Sequence, residues 1–269
     1  MKKRLALATC YNYDGTPEFW ADAAKAGFTD AEIDTHGVNT AVKDILDEAS
    51  KAYDALKAGG LTPSSLHLPF SHYWDVSQND DAIRNEVIGK HTEIIRWMGE
   101  HGVTYAILHP SAEPITDEDR PSRMAHAVDS IAKLGKVAAE CGVIIAVEDL
   151  PRTCLGNCAD EVLTLIGDQD SVRVCFDVNH LLKESHKDFV AKVGKYIVTT
   201  HLSDYDFVDE RHWLPGEGDI NWKELRELLE GVGYDNRWLF EITADKCAPA
   251  FGRAVTAKEV ADRFYEVIA

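Results

Sequence analysis

The feature that most constrains this chain is an alternation that recurs eight times: a short β-branched run, a polar loop, then a segment of helical period. The runs are Leu5 to Thr9, Thr29 to Ile33, Ser65 to Leu68, Tyr105 to His109, Val143 to Glu148, Val172 to Asp177, Ile197 to Leu202 and Trp238 to Ile242. Several, such as Val143-Ile144-Ile145-Ala146-Val147, are continuously apolar, the pattern of parallel strands buried on both faces. Between them, Ile83, Val87, Ile94 and Met98 fall on one stripe of a helix, and Met124, Val128, Ile131 and Ala138 on another. Asn221 with Glu224 and Thr256 with Glu259 have capping-box spacing, and Thr116 with Asp119 is a looser version. Gly27, Gly102, Gly142 and Gly233 stand where helices should stop before the next strand. Eight βα units in 269 residues predict an α/β chain forming a single (β/α)8 TIM barrel over residues 1–269, an architecture that typically takes about 250 residues. A doubly wound open sheet is the competing arrangement. It is disfavoured because Thr9-Cys10-Tyr11-Asn12 follows the first run where a glycine-rich turn would stand.

Charge narrows the range of partners. With 28 basic against 46 acidic side chains the formal charge is −18, so the average surface repels phosphate backbones and anionic lipid heads. No nucleic-acid partner is expected. The start, Met1-Lys2-Lys3-Arg4 followed by Leu5-Ala6-Leu7-Ala8, imitates a signal peptide but breaks too early at Thr9, and it reads as a first strand. No apolar stretch approaches the roughly 20 residues that span a bilayer, so no membrane association is expected and the protein is read as cytoplasmic. Six scattered cysteines fit reduced thiols in that compartment. Cys154 and Cys158 have no second pair of matching spacing, which argues against a zinc ribbon.

In a barrel of this kind, chemistry gathers at the C-terminal ends of the strands. Those ends carry Glu32 and Asp34, His67, His109, Glu148, Asp177, His201 and Glu241. Carboxylates that terminate apolar runs, as in Ala146-Val147-Glu148 and Val174-Cys175-Phe176-Asp177, would be desolvated and mutually repulsive without a cation. Three carboxylates with one imidazole form a hard, oxygen-rich set suited to Mn²⁺, with Mg²⁺, Co²⁺ or Zn²⁺ as alternatives. The bland alternative is that strand-end acids cap helices or pair with Lys and Arg.

Five motifs in order carry a family resemblance: Ala146-Val147-Glu148-Asp149, Cys175-Phe176-Asp177-Val178-Asn179-His180, His201-Leu202-Ser203-Asp204, Pro215-Gly216-Glu217-Gly218-Asp219-Ile220-Asn221-Trp222, and Phe240-Glu241. The chain resembles the xylose-isomerase-like barrels, the sugar isomerase and epimerase group. The resemblance implies one divalent metal, Mn²⁺ first, held by Glu148, Asp177, His201 and Glu241. It also implies substrate contacts from His180 and from an Arg in the loop before Pro-Gly, a role for which Arg211 and His212 compete. The implied reaction is proton abstraction beside a sugar carbonyl through a metal-bound cis-enediolate, with Glu148 and Glu241 as the proton carriers. Two bases on opposite faces give epimerisation, and one base serving two carbons gives aldose-ketose isomerisation. The substrate class is a sugar or polyol. Homo-oligomers are common among such barrels, and the sequence marks no interface.

Other readings use the same residues. A keto-sugar or keto-inositol dehydratase or lyase begins with the same proton abstraction. The endonuclease IV type of nuclease shares the fold, and His67, His109, Glu148, Asp177, His180, His201, Glu210, His212 and Glu241 fall where that family places three zinc ions, with Glu210 in place of its Asp. Against it, His212 leads into Trp213-Leu214-Pro215-Gly216, the sugar-isomerase form, and the rim segments Trp74-Asp75, Asn79-Asp80-Asp81 and Asp117-Glu118-Asp119 are acidic. A non-catalytic sugar-binding barrel would show a damaged ligand set, and all four ligands are present. His67 and His109 are substrate-site candidates. Glu32 is expected to orient a substrate hydroxyl or to form a structural ion pair. Trp20, Trp74 and Trp213 either stack on a sugar ring or seal the barrel top. No Lys or Arg cluster marks a phosphorylated substrate, although Arg152, Arg211 and Lys183 are within reach of the rim.

Overall fold

A computed structural model describes residues 3–35, 37–242 and 255–269. Met1, Lys2, His36 and Cys247 lie outside the described residues. Eight parallel strands form: β1 (Leu5–Ala8), β2 (Phe28–Ile33), β3 (Thr62–His67), β4 (Tyr105–Leu108), β5 (Ile144–Glu148), β6 (Val172–Asp177), β7 (Ile197–His201) and β8 (Trp238–Phe240). From β1 to β7 each strand pairs with its sequence neighbours, and β8 pairs with β1. The seam between β7 and β8 is closed by the Leu202–Phe240 bridge and by the Leu202 N–H donating to the Leu239 carbonyl at 2.8 Å. The nearly closed barrel is ringed by helices α1 (Pro17–Ala26), α2 (Val42–Ala58), α3 (Asp81–His101), α4 (Arg120–Cys141), α5 (Ala159–Ile166), α6 (His186–Val193), α7 (Trp222–Gly231) and α8 (Ala257–Ile268). The eight anticipated units are all present, in the expected order. No helix among the described residues is long and apolar enough to cross a membrane.

The two faces of the strands pack into separate clusters. Leu5, Leu7, Val147 and Phe176 belong to the large cluster under the helices, whereas Ala6, Ala8 and Leu239, and Ile107, Ala146 and Cys175, form two small separate clusters. The small residues leave room inside the barrel for polar groups. Asp30 closes the N-terminal end, accepting from Arg4 Nε at 2.9 Å and Arg237 Nε at 2.8 Å.

Several local expectations shift. Ile83 is 47% exposed, because the first turn of α3 buries Arg84 instead, whose guanidinium donates to the Gln78 carbonyl at 2.6 Å. Thr116 and Asp119 build the turn before α4, which begins at Arg120. Thr256 and Glu259 make the full reciprocal capping box, while Asn221 caps α7 by accepting from the Glu224 N–H. Gly27, Gly102 and Gly142 end their helices with positive φ; α7 ends at Gly231 and is capped by Val232, one residue before Gly233. Trp20 and Trp74 are buried, with the Trp20 indole N–H donating to the Gly15 carbonyl, so both seal the structure. The described cysteines, Cys10, Cys141, Cys154, Cys158 and Cys175, are free.

Candidate active site

The C-terminal ends of the strands open into a cavity of about 470 Å³. Its lining includes His67, Phe70, His109, Glu148, Arg152, His180, Glu210, His212 and Glu241. Beneath it, Glu148, Asp177, His201 and Glu241 bring one ligand atom apiece within 4.8 Å of one another. His201 Nδ1 lies 3.1 Å from Glu148 Oε1, 3.2 Å from Glu241 Oε2 and 3.9 Å from Asp177 Oδ2. A register shift between Val174 and Cys175 skips Val198, so that Asp177 and His201 become direct cross-strand partners.

This set fits a divalent cation. Glu148 Oε2, Asp177 Oδ2 and Glu241 Oε2 are buried and make no aligned hydrogen bond, facing only imidazole nitrogens, a costly state that a metal ion relieves. Burial, reinforced by Glu241 and Glu148, pushes the Asp177 carboxyl up, which is the signature of an acid crowded by like charge. Burial also opposes ionisation of Glu241, but His201 and His212 hold that carboxyl well below the usual range. An adjacent acid, Asp149, accepts the Asp177 backbone N–H at 2.8 Å and fixes the β6 terminus.

Four histidines surround the group, and three have a ring nitrogen anchored on a backbone carbonyl. His67 Nδ1 donates to Leu68 O at 3.0 Å, His180 Nδ1 to Asp149 O at 2.8 Å and His212 Nδ1 to Glu241 O at 3.1 Å. These anchors turn Nε2 toward a carboxylate: His67 toward Glu148 Oε2 at 3.3 Å, and His180 and His212 toward Glu210 at 3.8 and 2.8 Å. His109 Nε2 lies 3.1 Å from Glu148 Oε2, and its ring stacks on Phe70 with centroids 4.3 Å apart. Burial disfavours a charge on His212, yet Glu210 and Glu241 push it up to about 9. Two further groups, His67 with His109 and Glu148, and His180 with Glu210 and His212, also have metal-ligand spacing.

Two expected substrate contacts are placed elsewhere. The Arg211 guanidinium donates to Asp206 at 3.0 Å and lies over Trp213, away from the cavity lining. Among the described residues, the arginine that reaches the lining is Arg152, tied to Glu113, Asp209 and Glu210. Arg152 has φ of +52°, a left-handed turn just beyond Glu148-Asp149-Leu150-Pro151. Its only sequence signal was that short distance from β5. Glu32 is fully buried, is not among the lining residues, and bonds His201 instead.

Comparison with known proteins gives a consistent picture. The family described as xylose isomerase-like TIM barrel matches residues 20–266. An uncharacterised protein of Methanocaldococcus jannaschii is 26% identical over 212 residues, 76% of this chain and 70% of that protein. A D-psicose 3-epimerase of Ruminiclostridium cellulolyticum is 28% identical over 129 residues, 46% of this chain and 42% of the epimerase. The crystal structure of D-psicose 3-epimerase with D-tagatose from Clostridium cellulolyticum superposes with a TM-score of 0.76 at 20% identity, over 98% of this chain and 96% of that one. At that identity the likeness speaks for the fold alone. With the family match covering nearly all of an eight-stranded barrel, the chain belongs to the xylose isomerase-like TIM-barrel family.

Proposed function

We propose that this protein is a divalent-metal-dependent epimerase or isomerase of a sugar or sugar derivative. One observation carries the reading: of the four clustered ligand residues, Glu148 and Glu241 also line the cavity, while Asp177 and His201 do not. Of the four, those two carboxylates are therefore the ones placed both to hold a cation and to touch a substrate. A divalent ion, Mn²⁺ first by the hardness of the donors, supplies a Lewis acid that polarises the carbonyl and acidifies its neighbouring C–H.

Glu148 and Glu241 then have separate tasks. In epimerisation one carboxylate takes the proton from carbon and the other returns a proton to the opposite face, whereas in isomerisation one of them serves both carbons. His180 and His109 offer ring N–H groups to sugar oxygens from within the lining. Phe70, more than half exposed at the mouth, presents an apolar face beside His109. The sugar epimerases among the similar proteins support this substrate class. Dehydration or lysis of a keto-sugar would use the same first proton transfer. Incubation with metal, D₂O and a panel of ketoses and keto-inositols tests the proposal. Deuterium on carbon is expected; no exchange with any of them would end it.

A second reading has one observation in its favour. The groups His67–His109–Glu148 and His180–Glu210–His212 offer room for further ions, as in a hydrolase that activates water on several metals. Metal content separates the two: one ion per chain supports the epimerase, whereas about three zinc ions with cleavage of an abasic oligonucleotide supports the hydrolase.

A further inference from the structure

Glu32 sits at a position that the proton carriers and the cavity lining do not use. It lies on β2, inside the barrel and wholly buried, with Oε1 2.9 Å from His201 Nε2. Asp30, two residues earlier on the same strand, is matched by Arg4 and Arg237. Glu32 has no such cation among the described residues and is paired instead with the imidazole of His201. Its neighbours across the sheet are Ala8 and Ser65, whose small side chains leave the carboxylate room to reach across the barrel.

We infer that Glu32 is a positioning residue that fixes the tautomer and the ring orientation of His201, so that Nδ1 is the metal-binding nitrogen. A neutral imidazole carries one proton. A buried carboxylate needs a donor, so the Glu32 contact keeps that proton on Nε2. The Nδ1 lone pair then points between Glu148, Asp177 and Glu241, which are 3.1, 3.9 and 3.2 Å away. Without Glu32 the proton is free to occupy Nδ1, where it would donate to Glu148 or Glu241 and occupy the position an ion needs. A carboxylate behind the ring also raises the basicity of the ligating nitrogen, and loss of such partners typically costs about 10–100-fold in metal affinity. Glu32 thus acts on the metal through His201 and does not touch the sugar.

The inference rests on the metal site of the proposed function but not on the reaction assigned to it, so the test reads metal binding directly. Metal-free wild type, Glu32→Gln and Glu32→Leu are titrated with Mn²⁺ by calorimetry, and the His201 ring nitrogens are observed by ¹⁵N NMR in the metal-free proteins at a pH high enough for the ring to be neutral. Thermal unfolding of each metal-free variant reports whether it is folded. Glu32→Gln keeps an acceptor for Nε2–H and is expected to weaken Mn²⁺ only a few-fold, with the Nε2–H tautomer retained. Glu32→Leu is expected to weaken Mn²⁺ by about 10–100-fold and to mix the tautomers. A folded Glu32→Leu variant with wild-type Mn²⁺ affinity overturns the positioning role while leaving the metal site standing. A changed sugar KM at saturating Mn²⁺ with unchanged metal affinity would place Glu32 on the substrate and overturn it as well. Failure of the wild type itself to bind any divalent ion would remove both this inference and the proposed function.

Discussion

The indole N–H of Trp222, the first residue of α7, donates to Oδ2 of Asp204 at 2.9 Å. The same buried carboxylate accepts the backbone N–H groups of Tyr205, Gly216 and Ile220. Asp204 therefore ties together both ends of the loop that carries Glu210 and His212. Gly218 packs so tightly against this knot that a Cβ there would lie 2.3 Å from the Tyr205 carbonyl and 2.5 Å from Asp204 Oδ1. Asp204→Ala strands four donors, three of them buried, and is expected to lower stability by roughly 3 kcal/mol or more. Gly218→Ala should act in the same direction. Urea unfolding checks both, and a wild-type midpoint for Asp204→Ala would show that the loop is held by other contacts.

The proton carriers are tested at saturating metal, because both are also proposed ligands. Glu148→Gln and Glu241→Gln, singly, are each expected to slow solvent exchange at carbon by roughly 10²–10⁴-fold. The combined variant should abolish it. Exchange that survives the double substitution would remove these residues from the chemistry.

Arg152 bridges Glu113, Asp209 and Glu210 across the cavity mouth. Its side chain is 39% exposed, so Arg152→Ala should change stability by only about 1 kcal/mol or less. The effect should fall on substrate binding, with KM raised and kcat nearly unchanged. A kcat loss at constant KM would instead give Arg152 a part in the transition state.

His91 supplies a pH test remote from the site. It lies on α3, fully buried, with Nε2–H donating to the Trp74 carbonyl at 3.1 Å and Nδ1 without a partner. Burial, aided by Lys90, brings its pKa down from 6.5 to about 4. Above about pH 6.5 the ring is neutral whether the chain is folded or not. As pH falls toward 4 the unfolded chain takes up a proton that the folded one refuses, so stability is lost across that window, by on the order of 3 kcal/mol. His91→Gln retains a donor for Trp74 but cannot ionise. Its urea midpoint should fall less steeply between pH 6.5 and 4 than that of the wild type, and parallel slopes would contradict the assignment.

Much of the site was written in strand-end residue types. Glu148, Asp177, His201 and Glu241 each end or directly follow an apolar run, and a run buried on both faces can tolerate such a residue only at its rim. His67, His109, His180 and His212 also reach the cavity lining. That Arg152 and His212, and not Arg211, reach the lining was not legible, because loop backbone geometry decides it. Arg211 finds Asp206 five residues away, whereas Arg152 takes a left-handed turn and collects acids from two other loops.

By itself, the sequence determined the eightfold strand and helix order and the residues delivered to one end of the barrel, because both follow from local periodicity and element length. The direction of individual side chains was settled by the tertiary structure. Strict alternation from Ile197, which packs in the outer core, would have turned His201 outward with it; the skipped Val198 in the pairing with β6 brings His201 opposite Asp177 instead. Glu32 likewise meets His201 only because the closed barrel places β2 across from β7. A periodic pattern records which face of an element is apolar, but cross-strand register and barrel closure depend on partners distant in sequence, and they decide which polar groups meet.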